Sequence, residues 1–88
     1  MINLPFKQIN IDDSTVIREF SEKTDPIEFM WHRDLEDRVI SPIYDTDWLF
    51  QFDNELPFII KDDIFIPAGS FHRLIKGSNN LTLKIKML

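Results

Sequence analysis

The imidazoles of this 88-residue sequence are two, His32 and His72, and cysteine is absent. His72 follows Asp63-Ile64-Phe65-Ile66-Pro67-Ala68-Gly69-Ser70-Phe71, an apolar run that enters a Pro-x-Gly turn. Pro67 pre-sets its own φ and Gly69 opens a backbone position to φ > 0. The turn therefore holds His72 at the start of the next strand and makes it a candidate site residue. His32 opens the most charged stretch, His32-Arg33-Asp34-Leu35-Glu36-Asp37-Arg38, where strand periodicity puts His32 and Asp34 on one face. The same periodicity sends Glu36 and Asp37 to opposite faces, so they are not a paired-carboxylate dyad. With no cysteine nucleophile, no glycine-rich phosphate loop and no strand–turn–helix around Ser70, chemistry falls to His, Asp and Arg side chains. Tyr44 and Gln51 are candidates for polar groups on a pocket wall. The plainer role for His72 is a ring positioned by the turn and hydrogen-bonded to a neighbour.

The elements that must position these residues read as short strands. Residues 1–11 form one strand, ending in the polar turn Asn10-Ile11-Asp12-Asp13-Ser14. Residues 14–23 fit a helix through Val16, Ile17 and Phe20 and a strand through Val16, Arg18 and Phe20. The β character of the neighbouring segments selects the strand. Thr24-Asp25-Pro26 breaks it. Strands are expected at 27–31 and at 39–44, the latter with Pro42 marking an edge or a bulge. The apolar runs 48–52 and 56–60 bracket Asp53-Asn54-Glu55, which tolerate the left-handed backbone of a tight hairpin. Strands at 63–66, 73–76 and 81–88 follow, the last with apolar residues at 81, 83, 85 and 87 and preceded by the turn Gly77-Ser78-Asn79-Asn80. This pattern means an all-β sandwich or barrel. Trp31, Trp48, Phe50, Phe52, Phe65 and Phe71 are assigned to its core.

A chain of this length is one domain with one site, and without cysteine it has no disulfides, in accord with a reducing compartment. No apolar run approaches the roughly 20 residues that span a bilayer, and no signal-peptide pattern follows Met1, so a soluble cytoplasmic protein is expected. Eight Phe and two Trp exclude a disordered segment. A net charge of −5 counts against nucleic-acid binding. Every acidic residue precedes Pro67, and Arg73, Lys76, Lys84 and Lys86 beyond it read as solvated strand faces.

The two histidine segments together resemble the motifs of the cupin superfamily of small double-stranded β-helix (jelly-roll) barrels. The second cupin motif is Gly, five residues, Pro-x-Gly, two residues, His. It is met by Pro67, Gly69 and His72, with Lys61 in place of its first Gly and Lys76 in place of its closing Asn. The first motif, His-x-His, three residues, Glu, six residues, Gly, falls on His32, Asp34, Arg38 and Asp45. Fifteen residues, 46–60, separate the motifs, and the resemblance covers 27–88. It implies a barrel interior holding one divalent metal through His32, Asp34 and His72, a set suited to Fe(II), Mn, Ni or Zn with positions left open for substrate or water. The His-x-Asp…His order is also similar to the facial triad of the much larger 2-oxoglutarate oxygenases.

Arg38 decides between two forms of such a site. It either turns aside to pair with Glu36 or Asp37, or takes the metal's place beside Asp34 and holds an anion such as a carboxylate or phosphate. The resemblance accordingly implies a small-molecule site of the dioxygenase, isomerase or decarboxylase kind. The alternative is a non-catalytic small-anion or sugar-binding accessory module without metal, or a barrel merely packed inside. It also implies a homodimer, with residues 1–26 as N-terminal strands and dimerisation arm and 27–88 as barrel core.

Overall fold

Residues 6–25 and 29–88 are described by a computed structural model, in which eight strands are joined by antiparallel pairing into two sheets. The larger sheet contains β1 (Phe6–Asn10), β2 (Thr15–Phe20), β3 (Arg38–Pro42), β6 (Ile64–Ile66) and β8 (Leu81–Met87), in the order β1-β2-β8-β3-β6. The smaller has β4 (Leu49–Phe52), β5 (Phe58–Ile59) and β7 (His72–Ile75), in the order β5-β4-β7.

Strand alternation decides which residues enter the space between the sheets. On β8, Leu81, Leu83 and Ile85 are buried while Lys84 and Lys86 are exposed. Their partners on β2 are Phe20, Arg18 and Val16, so Arg18 stands on the same inner face as two core residues. Within residues 14–23 the strand is the form taken, over Thr15–Phe20, with a turn after it. The core is completed by Ile40, Ile64 and Ile66 of the large sheet, Phe50 of the small one, and Trp48 and Ile60 flanking the β4–β5 hairpin. Trp48 is fully buried, and its indole N–H donates to the Asn79 carbonyl.

Several expectations are corrected. The strand at 27–31 is not formed in its described part: Phe29 is buried edge-on to the rings of Phe20 and Trp48, which takes the segment off the sheet line. Residues 26–28 lie outside the described residues, as do 1–5. The β4–β5 hairpin forms, but without a left-handed Asp or Asn, because no described non-glycine residue has a positive φ. Pairing stops at Phe50↔Phe58, and the wide loop closes through Glu55 N–H to the Phe52 carbonyl and the Gln51 amide to the Glu55 carbonyl. Phe65, Phe71 and Trp31 are exposed rather than core. Phe65 alternates outward between Ile64 and Ile66, while Phe71 and Trp31 lie beneath the guanidinium groups of Arg33 and Arg73. Pro42 does occupy an edge: β6 stops at Ile40, leaving Pro42 paired only with Leu83.

Candidate metal centre

The turn after β6 is the anchor of the site. Ser70 N–H donates to the Pro67 carbonyl at 3.1 Å and Gly69 has φ 81°, the geometry of a type II turn with glycine at its third position. The turn also grips the segment that carries the other candidates. Gly69 N–H donates to the Asp34 carbonyl at 2.8 Å, and Ala68 N–H to Asp37 Oδ1 at 2.7 Å. Beyond it, His32 and His72 exchange both backbone hydrogen bonds, at 3.0 and 2.9 Å, as an isolated antiparallel bridge. Residues forty apart in sequence are thereby fixed side by side.

Both rings are held by the same device. His72 Nδ1 lies 2.9 Å from the Ser70 carbonyl and His32 Nδ1 3.2 Å from the Met30 carbonyl. A carbonyl only accepts, so each neutral ring carries its proton on Nδ1 and turns a free Nε2 lone pair to the cavity. The His72 ring stacks on Phe50, with centroids 5.4 Å apart, and meets the His32 ring edge-on at 4.2 Å. His72 is buried and His32 exposed. Burial holds the His72 imidazole below its ordinary pKa, assisted by His32 and Arg38 and opposed by the Ser70 carbonyl and Asp34.

One ligand atom from each of His32, Asp34 and His72 lies within 4.8 Å of the others. His72 Nε2 is 3.5 Å from Asp34 Oδ2, near the about 3 Å expected of adjacent ligands on one ion. Two lone-pair atoms held face to face repel unless a cation, proton or metal, stands between them. The residues fit a divalent transition metal on this ground.

Arg38 turns aside and still reaches the centre. Its Nε and Nη2 both bind Glu36 Oε1, at 2.8 and 2.6 Å, while Nη1 lies 3.5 Å from Asp34 Oδ1. The guanidinium thus engages the aspartate oxygen that does not face His72, leaving Oδ2 for a cation. A cavity of about 530 Å³ opens over the site, lined by His32, Asp34, Arg38 and His72 with apolar walls that include Phe20, Phe29, Phe50 and Leu83. Tyr44 and Gln51 do not line it: Tyr44 is exposed beyond β3, and Gln51 is bonded to Arg73 and to the Glu55 carbonyl. Arg18 lines the cavity and was missed by motif counting. Its signal was a charged residue on the apolar face of Val16 and Phe20.

No family model matches the sequence, and no curated protein matches it. Solved structures do match in three dimensions. A chain from the DMSP lyases RdDddP and RnDddQII superposes with a TM-score of 0.69 at 16% identity, covering 83% of this chain and 36% of that one. A cupin domain from Bordetella pertussis Tohama I gives 0.61 at 15% identity, covering 100% of this chain and 99% of that one. The fold is that of the cupins. Another similar structure, FeII HppE, gives 0.61 at 7% identity over 84% of this chain and 41% of that one. This chain spans about a third of the lyase chain's length and nearly all of the Bordetella domain's.

Proposed function

We propose that this cupin binds one divalent transition-metal ion through His32 Nε2, Asp34 Oδ2 and His72 Nε2 and acts there on a small molecule, in a reaction of the dioxygenase or isomerase kind. The observation that carries the reading is the donor set itself: two imidazoles, each held by a carbonyl at Nδ1, and one carboxylate bring a ligand atom apiece within 4.8 Å of one another. A bound ion would supply Lewis-acid polarisation of a substrate oxygen or activation of O₂. The chain's own residues do the rest. Arg38, clamped by Glu36, fixes the rotation of the Asp34 carboxylate, and Phe50 fixes the His72 ring. The apolar walls bound a cavity of a size suited to a small metabolite. One fold carries many chemistries, so the reading rests on these residues and not on what structural neighbours do.

The test is elemental analysis of protein purified without a histidine tag and incubated with Fe(II), Mn, Ni or Zn. One ion per chain is expected, lost in D34A and H72A. A stoichiometry near zero with all four metals sinks it. One observation favours a second reading, a metal-free binding module for a small anion or sugar: Arg38 lies 3.5 Å from Asp34 and neutralises it without an ion. The same zero stoichiometry would select that reading.

A further inference from the structure

Two arginines line the cavity, and they are committed differently. Arg38 spends its charge on Glu36 and Asp34. Arg18, brought inward by its register opposite Leu83, has neutral neighbours: its Nε donates to Gln8 Oε1 at 2.7 Å, and its guanidinium carbon stands 4.2 Å above the Phe6 ring. Gln8, opposite Arg18 in the β1–β2 register, is itself oriented by donating to Asn10 Oδ1 at 2.9 Å. Among the described residues Arg18 forms no ion pair.

We propose that Arg18 is the receptor for a carboxylate on the small molecule this cavity takes, so that the ligand class is an organic carboxylate with an apolar body. Gln8 takes the Nε–H and Phe6 covers one face, which leaves the two terminal nitrogens as a fork matched to the two oxygens of a carboxylate. Charge points the same way. Asp34 and Glu36 balance Arg18 and Arg38, and a divalent ion then leaves a surplus of positive charge that an anionic ligand offsets. Burial, with Arg38 next, pushes the Arg18 pKa below its ordinary value against the pull of Asp34 and Glu36, as for a cation short of counter-charge. The aromatic and aliphatic walls suit a hydrocarbon body.

The inference rests on the proposed reading in placing the ligand in the same cavity and, for the charge surplus, in the bound ion, and it is tested with and without metal. Benzoate, benzamide and phenyl phosphate are titrated calorimetrically into the full chain, once stripped with EDTA and once loaded with Zn. The arginine Nε–H resonances are followed by NMR. Benzoate is expected to bind, to shift the Arg18 Nε–H signal, and to lose roughly 10-fold or more in affinity in R18Q, with R18K between because the fork is gone. Zn stoichiometry is expected to be unchanged in both variants. Benzamide or phenyl phosphate binding as well as benzoate, or R18Q binding benzoate like the parent chain, overturns the assignment. If R18Q does not fold, R18K and the Arg18 resonance carry the same decision. Benzoate binding with zero Zn refutes the metal reading alone. Zn binding without Arg18-dependent benzoate binding refutes this one alone.

Discussion

The turn at residues 67–70 holds itself, closed by its own Ser70-to-Pro67 hydrogen bond and by a glycine at φ 81°, and it feeds a buried histidine directly into β7. Residues 32–37 have no ladder beyond the single His32 bridge, and they borrow their shape through that bridge, two bonds from the turn, Gly69 to Asp34 and Ala68 to Asp37, and one from Leu88 N–H to the Asp37 carbonyl. One half of the site is built into the sheet; the other is hung from it. The contrast explains why an exposed His32 can still be aimed: its backbone is placed by the turn and its ring by the Met30 carbonyl. Precision in the hung half is therefore on loan from the built half.

The widest test of that contrast is to remove each histidine. H72A should cost metal affinity at least about 100-fold and also lower the melting temperature, since it empties a buried position against Phe50. H32A should cost comparable affinity with little change in melting, its ring being exposed. Calorimetric metal titration and thermal melts of the pair check both, and equal melting losses would break the distinction. Next, D37A removes the carboxylate that receives Ala68 N–H. A loss of about 1 kcal/mol in chemical denaturation is expected, with metal affinity falling as Asp34 loosens. Gly69→Ala meets no atom within 4 Å of its new Cβ, so its cost, about 1 kcal/mol, would come from φ alone. If it destabilises without weakening the metal, the segment does not depend on the turn for its shape.

The smallest effect is the pH response of the metal-free protein. The folded pKa of His72 lies below its unfolded value of 6.5, so the unfolded chain binds the proton first. The stability from His72 is fully present above that value and is lost as pH falls through the folded one. Melts across this range should decline toward acid, and H72A should flatten the curve.

Much of this was legible in the sequence because alternation and turn chemistry are local. Leu81, Leu83 and Ile85 revealed β8, and Pro67 with Gly69 revealed the turn that places His72. The spacing of His32, Asp34 and His72 also anticipated their convergence, although the strand assumed to align the first two is absent there. Arg38 was ambiguous because its partner depends on side-chain rotation, which a motif position does not encode; both Glu36 and Asp34 turned out to be within its reach. Arg18 went unnoticed for a different reason. Its place in the cavity depends on β2 pairing with β8, a register between segments far apart in the chain. Tyr44 and Gln51 were chosen as polar residues near the hairpin, and nothing local marks them as facing away from the cavity.

The position of β8 carries a consequence for the order of assembly. It lies between β2 and β3, the Met87 amide bonds the Ser14 carbonyl and the Leu88 amide the Asp37 carbonyl. Among the described residues no ladder joins the β1–β2 hairpin to the β3–β6 pair except through β8. The large sheet is therefore completed by a pairing between segments far apart in the chain, the slow kind of step in folding, and Leu83 and Ile85 reach the cavity wall only through it.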